Sequence, residues 1–141
     1  YNAKEGIYTV VVGNDTTFAT TTFNVNKDTN IGEYVVNTTF SSDKLNGDDL
    51  FTANVEIHNI NSGNNPVLAI VALYDAKNRM INASYISRPI APGETEILNA
   101  GFKLPTDVTG HCVRAFVWDG DDLETSNMRP LSNVVSIYAQ D

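Results

Sequence analysis

The stretch PVLAIVALYDAKNR (Pro66–Arg79) decides the fold. Its middle, VLAIVALY (Val67–Tyr74), is apolar on both faces, so it is either a strand covered on both sides or a buried helix. Pro66 before it and Asp75-Ala-Lys-Asn78 after it bracket eight residues, a strand's length rather than a helix's. CVRAFVW (Cys112–Trp118) is a second run of this kind.

Outward from these two, the apolar period is two. In LFTANVEIHNI (Leu50–Ile60), Phe51, Ala53, Val55 and Ile57 share one face, and Thr52, Asn54, Glu56 and His58 share the other. TFATTTFNV (Thr17–Val25), ILNAGFKL (Ile97–Leu104) and NVVSIYA (Asn133–Ala139) alternate likewise. Turn-forming clusters separate the runs: NGDD at Asn46, NSGNNP at Asn61, APGE at Ala91 and LPTDVTG at Leu104. This spacing predicts an all-β chain, an antiparallel immunoglobulin- or fibronectin III-like sandwich of about seven to nine strands.

Composition narrows the function. Apolar residues are 42% of the chain and charged ones 18%, enough apolar material for a packed core and too little charge for a disordered tail. The formal charge of −8, with scattered cations, argues against nucleic acid and against an anionic membrane surface. No apolar run reaches the roughly 18 residues that a membrane-spanning helix needs. A neutral polysaccharide or another protein suits the charge. Cys112, the single cysteine, reads as a small buried hydrophobe in a strand. The sequons at Asn14, Asn37 and Asn82 are chance products of an Asn- and Thr-rich chain. The opening YNAKEG, with neither Met nor leader, reads as the start of a mature or excised piece.

The chain's motifs carry a resemblance. EGIYTVVVGNDTTFATTTFNV (Glu5–Val25) resembles the closing hairpin of a bacterial immunoglobulin-like or fibronectin-type module, so residues 1–28 are expected to be the end of one module and residues 29–141 a sandwich domain. VALYDAKNRMINASY, IAPGETEI, FKLPTDVTGHCVRAFVWD and MRPLS, in that order, resemble a β-sandwich accessory module of secreted multimodular proteins of Gram-positive bacteria. There the pattern runs ALYD, GET, LP, VKAFVWD, MKPLS; here the loop after the WD pair is longer. The resemblance implies an extracellular, secreted or cell-surface location and a non-catalytic accessory role.

Two constellations are candidate sites. Asp119, Asp121, Asp122 and Glu124 offer several oxygens for Ca²⁺, the one candidate cofactor, although their spacing misses the EF-hand pattern. The plainer reading is a solvated Asp-Gly turn in which Asp119 bonds its own backbone and Gly120 takes a positive φ. Glycoside hydrolysis demands two acids held across a sugar cleft, which adjacent acids in a polar turn of a small domain do not build, and no nucleophile elbow, P-loop or zinc motif occurs, so no enzyme is expected. His58 and His111 lie on separate strands. The second constellation is aromatic: Trp118 and Arg114 share a strand face with Phe116, and Tyr85 and Arg88 in SYISRPI are possible companions for a stacked sugar. In MRPLS, Met128 and Leu131 are expected to seal the end of the sandwich.

Three functions fit: a spacer or interaction module touching neighbouring modules or subunits, a carbohydrate-binding module, or a subunit joined to its neighbours by strand addition through the N-terminal hairpin.

Overall fold

The computed structural model describes residues 6–13, 18–25 and 33–140. Strands β1 (Gly6–Gly13) and β2 (Phe18–Val25) form an antiparallel two-stranded sheet, in register from Gly6 opposite Val25 to Gly13 opposite Phe18. The polar segment NKDTNIG (26–32) between β2 and the sandwich, and the side-chain alternation expected for TFATTTFNV, lie outside what is described.

Seven more strands follow: β3 (Tyr34–Phe40), β4 (Leu50–Asn59), β5 (Pro66–Tyr74), β6 (Met80–Pro89), β7 (Thr95–Lys103), β8 (Cys112–Asp119) and β9 (Val135–Tyr138). They build two antiparallel sheets, β3-β4-β7 and β6-β5-β8-β9. Among the described residues there is no helix. VLAIVALY is therefore a strand, central in its sheet, as its brackets predict.

Alternation explains the packing. Phe51, Ala53, Val55 and Ile57 of β4 are buried, while Asn54 and Glu56 between them are exposed. From the other sheet Val67, Ala69, Val71 and Leu73 of β5, with Val113, Ala115 and Val117 of β8, meet them in one core. Burying each of the larger side chains is worth roughly 1.5–3 kcal/mol.

Polar groups fix the ends of the elements. Asn59 is fully buried, donating Nδ2 to Gly63 O (2.8 Å) and Ile90 O (2.6 Å) and accepting from the Asn61 amide at 2.8 Å. It thereby ties two loops to the end of β4 with no polar atom wasted. The β5–β6 turn is held by Asp75, whose carboxylate accepts from the amides of Lys77 and Arg79, each at 2.9 Å, and from Arg79 Nε at 2.8 Å. These bonds, the Arg79 amide and side chain foremost, hold the Asp75 carboxyl down at about 2. At the other end of that turn Asn78 takes a positive φ of 60°.

Candidate functional site

In an antiparallel pair, residues that face each other across the ladder share a side of the sheet. β5 and β8 align Leu68 with Trp118, Ile70 with Phe116, Ala72 with Arg114 and Tyr74 with Cys112. All eight point away from the sandwich core, because the alternate residues of both strands fill it. β9 adds Ser136 beside Arg114 and Tyr138 beside Cys112, and β6 adds Tyr85 beside Ile70.

This outer side has an apolar cluster of its own. Leu68, Ile70, Ala72 and Phe116 are buried there, with Tyr74, Ala83, Trp118 and Leu123 packed against them. The rings of Phe116 and Trp118 lie 5.1 Å apart, tilted by 46°. Beside them runs an open groove of about 470 Å³ lined by Tyr74, Arg114, Phe116, Trp118, Val134 and Tyr138. Tyr138 is 62% exposed at its rim, and Cys112 is buried between the tyrosine positions.

Arg114 is held in place within this groove. Its Nη2 donates to Asn78 Oδ1 at 2.6 Å, and its Cζ stands 4.2 Å from the centre of the Tyr74 ring. Among the described residues no carboxylate forms an ion pair with it. A guanidinium stacked on an aromatic ring and bonded to a neutral amide keeps its charge and most of its five N–H donors.

The acidic segment after Trp118 is a closed loop, 120–130, and differs from the solvated turn expected. The Asp119 amide donates to Arg129 O (3.1 Å) while Asp119 Oδ1 accepts from the Arg129 amide (3.0 Å), so the neck of the loop is cross-bonded. A bridge between Trp118 and Pro130 continues this closure. Asp119 thus reaches ten residues along the chain rather than bonding its own turn, and the local turn is made by Asp122. Its Oδ1 accepts from the amides of Glu124 (2.8 Å) and Thr125 (2.7 Å) and from Thr125 Oγ1 (2.9 Å), which hold this carboxyl below its usual range. Gly120 does take a positive φ, 113°, and a side chain there would meet Ser126 Cα at 2.8 Å. The apolar face of the loop is Leu123, seated on the outer cluster.

Asp121 and Glu124 are exposed. Among the described residues, no group of three or more His, Cys, Asp or Glu side chains gathers into a metal site. The acids of the NGDD turn are separately engaged, Asp48 with Lys103 at 3.2 Å and Asp49 with Asn46 at 3.1 Å. His58, on β4, has its Nδ1 2.9 Å from Thr95 Oγ1; His111, expected on a strand, lies just before β8 and donates Nδ1 to Thr109 O at 3.0 Å.

Of the aromatic set expected from sequence, Trp118, Arg114 and Tyr85 share the outer side, although Tyr85 lies across β5 from the groove. Arg88 does not join them: it sits opposite Val67, whose side chain points to the core, so Arg88 leaves the sheet on the other side at its edge. Met128 also departs from expectation. It is 59% exposed with a φ of 57°, and Leu131 alone of that pair seals the core. Tyr74, Phe116, Val134, Tyr138 and the anchoring Asn78 complete the groove. The sequence signalled only that two strands apolar on both sides leave an apolar outer face in need of cover; which residues of the neighbouring segments join it follows from non-local pairing.

Among solved structures, the chain is similar to Spo0M, the sporulation control protein from Bacillus subtilis, at 17% identity and a TM-score of 0.50, over 79% of this chain and 51% of that one. The chain thus spans about half the length of the Spo0M structure. It also matches the ApaA protein from Bordetella pertussis at 18% identity, over 76% of this chain and 94% of that one, with a TM-score of 0.39. No family model and no curated protein matches the chain. At this identity the likeness to Spo0M is one of fold: an all-β chain of two packed antiparallel sheets.

Proposed function

We propose that this chain is a non-catalytic β-sandwich accessory module of a secreted or cell-surface multimodular protein, and that it works as a contact surface through the outer side of β6-β5-β8-β9. The observation that carries this reading is the groove itself. A domain that serves only as a spacer has no use for Trp118, Phe116, Tyr74 and Tyr138 gathered outside its core around a fixed arginine. Aromatic residues and arginine are also the types that dominate binding energy at contact surfaces.

The finer fold reading, an immunoglobulin- or fibronectin III-like sandwich, belongs to the same proposal. It is supported by the strand order, in which the chain crosses between sheets after β4, β6 and β7, a Greek-key course. The extracellular location rests on the resemblance of the ALYD, GET, FVWD and MRPLS segments to secreted accessory modules.

Hydroxyl-radical footprinting tests the contact surface. The chain is compared alone and in the presence of its neighbouring modules or of extracellular polysaccharide. Protection at Trp118 and Tyr138 is expected. Protection confined to Ile97 and Val35, exposed on the other sheet, would overturn the reading.

A second reading, a carbohydrate-binding module, is favoured by one specific feature, the juxtaposition of ring faces with a preset guanidinium fork. Strand addition through β1 and β2 remains the third.

A further inference from the structure

Resting on the contact-surface reading, we propose that the groove beside Trp118 is a saccharide subsite and that its ligand is a neutral polysaccharide, stacked on the aromatic wall and hydrogen-bonded by Arg114. Three observations converge. The groove, at about 470 Å³, falls in the size range of small-ligand sites, and its open shape lets a chain pass through it. Its walls are rings with flat apolar faces and, in Tyr74 and Tyr138, hydroxyl tips, the combination that suits a sugar's apolar ring face and polar rim. Its one charged lining residue is fixed before any ligand arrives, by Asn78 on one side and Tyr74 on the other.

Charge selects among sugars. A cationic ligand would seek the faces of the rings, but Arg114 already covers Tyr74 at 4.2 Å and repels a second cation. A polyanion meets a chain of formal charge −8, with Asp121 and Glu124 exposed in the loop that begins two residues after Trp118. A neutral polymer carries neither penalty. Its hydroxyl oxygens accept from the planar N–H fork of Arg114, a geometry in which lysine is a poor substitute.

Along β8 the face from Cys112 to Trp118 is about 20 Å long at the usual strand rise, so several sugar units can lie along it. Trp118 at one end and Tyr138 at the other would then contact different units. Either substitution should weaken binding without abolishing it, and the two effects should combine.

The experiment is affinity electrophoresis of the intact chain in gels containing neutral β-glucan, xylan or mannan, acidic polygalacturonate, or cationic chitosan. The variants are Tyr138→Ala, Arg114→Lys and Trp118→Ala. Tyr138 is 62% exposed, so its substitution leaves the fold intact and keeps the test valid if Trp118→Ala fails to fold. The expected result is retardation by at least one neutral polymer, about tenfold weaker for Tyr138→Ala and for Arg114→Lys. Retardation only by polygalacturonate or chitosan would overturn the neutral-ligand assignment while leaving the contact surface standing. Failure of every polymer, with footprint protection of the same face by a neighbouring module, would make the face a protein contact and overturn the saccharide subsite. Retention equal in wild type and all three variants would place the site elsewhere and overturn both readings.

Discussion

The two sheets turn very different faces outward. On β3-β4-β7 the outward rows are Asn37, Glu56 and Ile97, then Thr39, Asn54 and Asn99, then Val35, His58 and Thr95. These are mostly polar side chains that water satisfies. On β6-β5-β8-β9 the corresponding positions hold Leu68, Ile70, Ala72, Phe116 and Trp118, a cluster whose first four members are buried although, among residues 33–140, no second sheet packs on that side. A sandwich requires one apolar side per sheet. The first sheet meets that requirement and stops; the second carries a surplus, and the surplus surrounds a groove and an arginine. The same architecture thus separates what the fold needs from what lies beyond it.

The contrast can be broken by substitution, most strongly in the shared core. Ile57→Ala removes a fully buried side chain between the sheets and should cost about 3–4 kcal/mol in denaturant unfolding. Ile70→Ala, equally buried but under the outer cluster, should cost about 2–3 kcal/mol, since side chains there have room to settle into the space. If Ile70→Ala instead costs under about 0.5 kcal/mol, the outer cluster is not a second packing unit. Gly120→Ala should destabilise by about 1–3 kcal/mol, because φ is 113° and the new Cβ collides with Ser126, and it should loosen the loop that seats Leu123. Tyr138→Ala and Glu56→Ala, exposed on opposite sides of the molecule, should each stay within about 0.5 kcal/mol of wild type. Only the first should alter ligand binding.

Acid sharpens the account of the turns. The carboxyls of Asp75, Asp107, Asp122 and Glu33 all lie below their ordinary values, held down by amide donors of their own turns or, for Glu33, by Arg129 at 2.9 Å. A depressed carboxyl stabilises the folded state above its unfolded pKa, and that contribution is lost as pH falls through the folded value. For Asp75 the loss runs from about 4 down to about 2. Thermal melts between neutral pH and about pH 2 should therefore show a falling midpoint across this window, with a shallower fall in Asp75→Asn. An unchanged slope in that variant would contradict the assignment. Because these groups sit in surface turns, Asp107 exposed and the other three half-buried, water screens them and the effect should be modest and should shrink in salt.

The fold was legible to the extent that it is local. Alternation in LFTANVEIHNI gave the right inner and outer sides of β4, and the brackets around VLAIVALY distinguished strand from helix. The groove was legible only in part. Trp118, Phe116 and Arg114 lie at i, i+2 spacing on one strand, so their shared side follows from sequence alone. Tyr74 and Tyr138 join them through registers set by non-local pairing, Tyr74 to Cys112 to Tyr138, which no periodicity encodes. Arg88, by contrast, is misplaced against a signal the sequence does carry: it is three positions from Tyr85, and an odd separation on a strand puts two side chains on opposite sides. The acidic loop was misread because Asp119 bonds a residue ten positions away, whereas turn chemistry reads only the next three or four.

The central claim is that the outward side of β6-β5-β8-β9, and not that of β3-β4-β7, is the working surface. Amide chemical-shift mapping of the intact chain, titrated with soluble oligosaccharides of the neutral polymer that binds, tests it most directly. The account predicts shifts grouped at Tyr74, Arg114, Phe116, Trp118 and Tyr138, with β3, β4 and β7 unmoved. Shifts grouped on Asn54, Glu56 and Ile97 would contradict it.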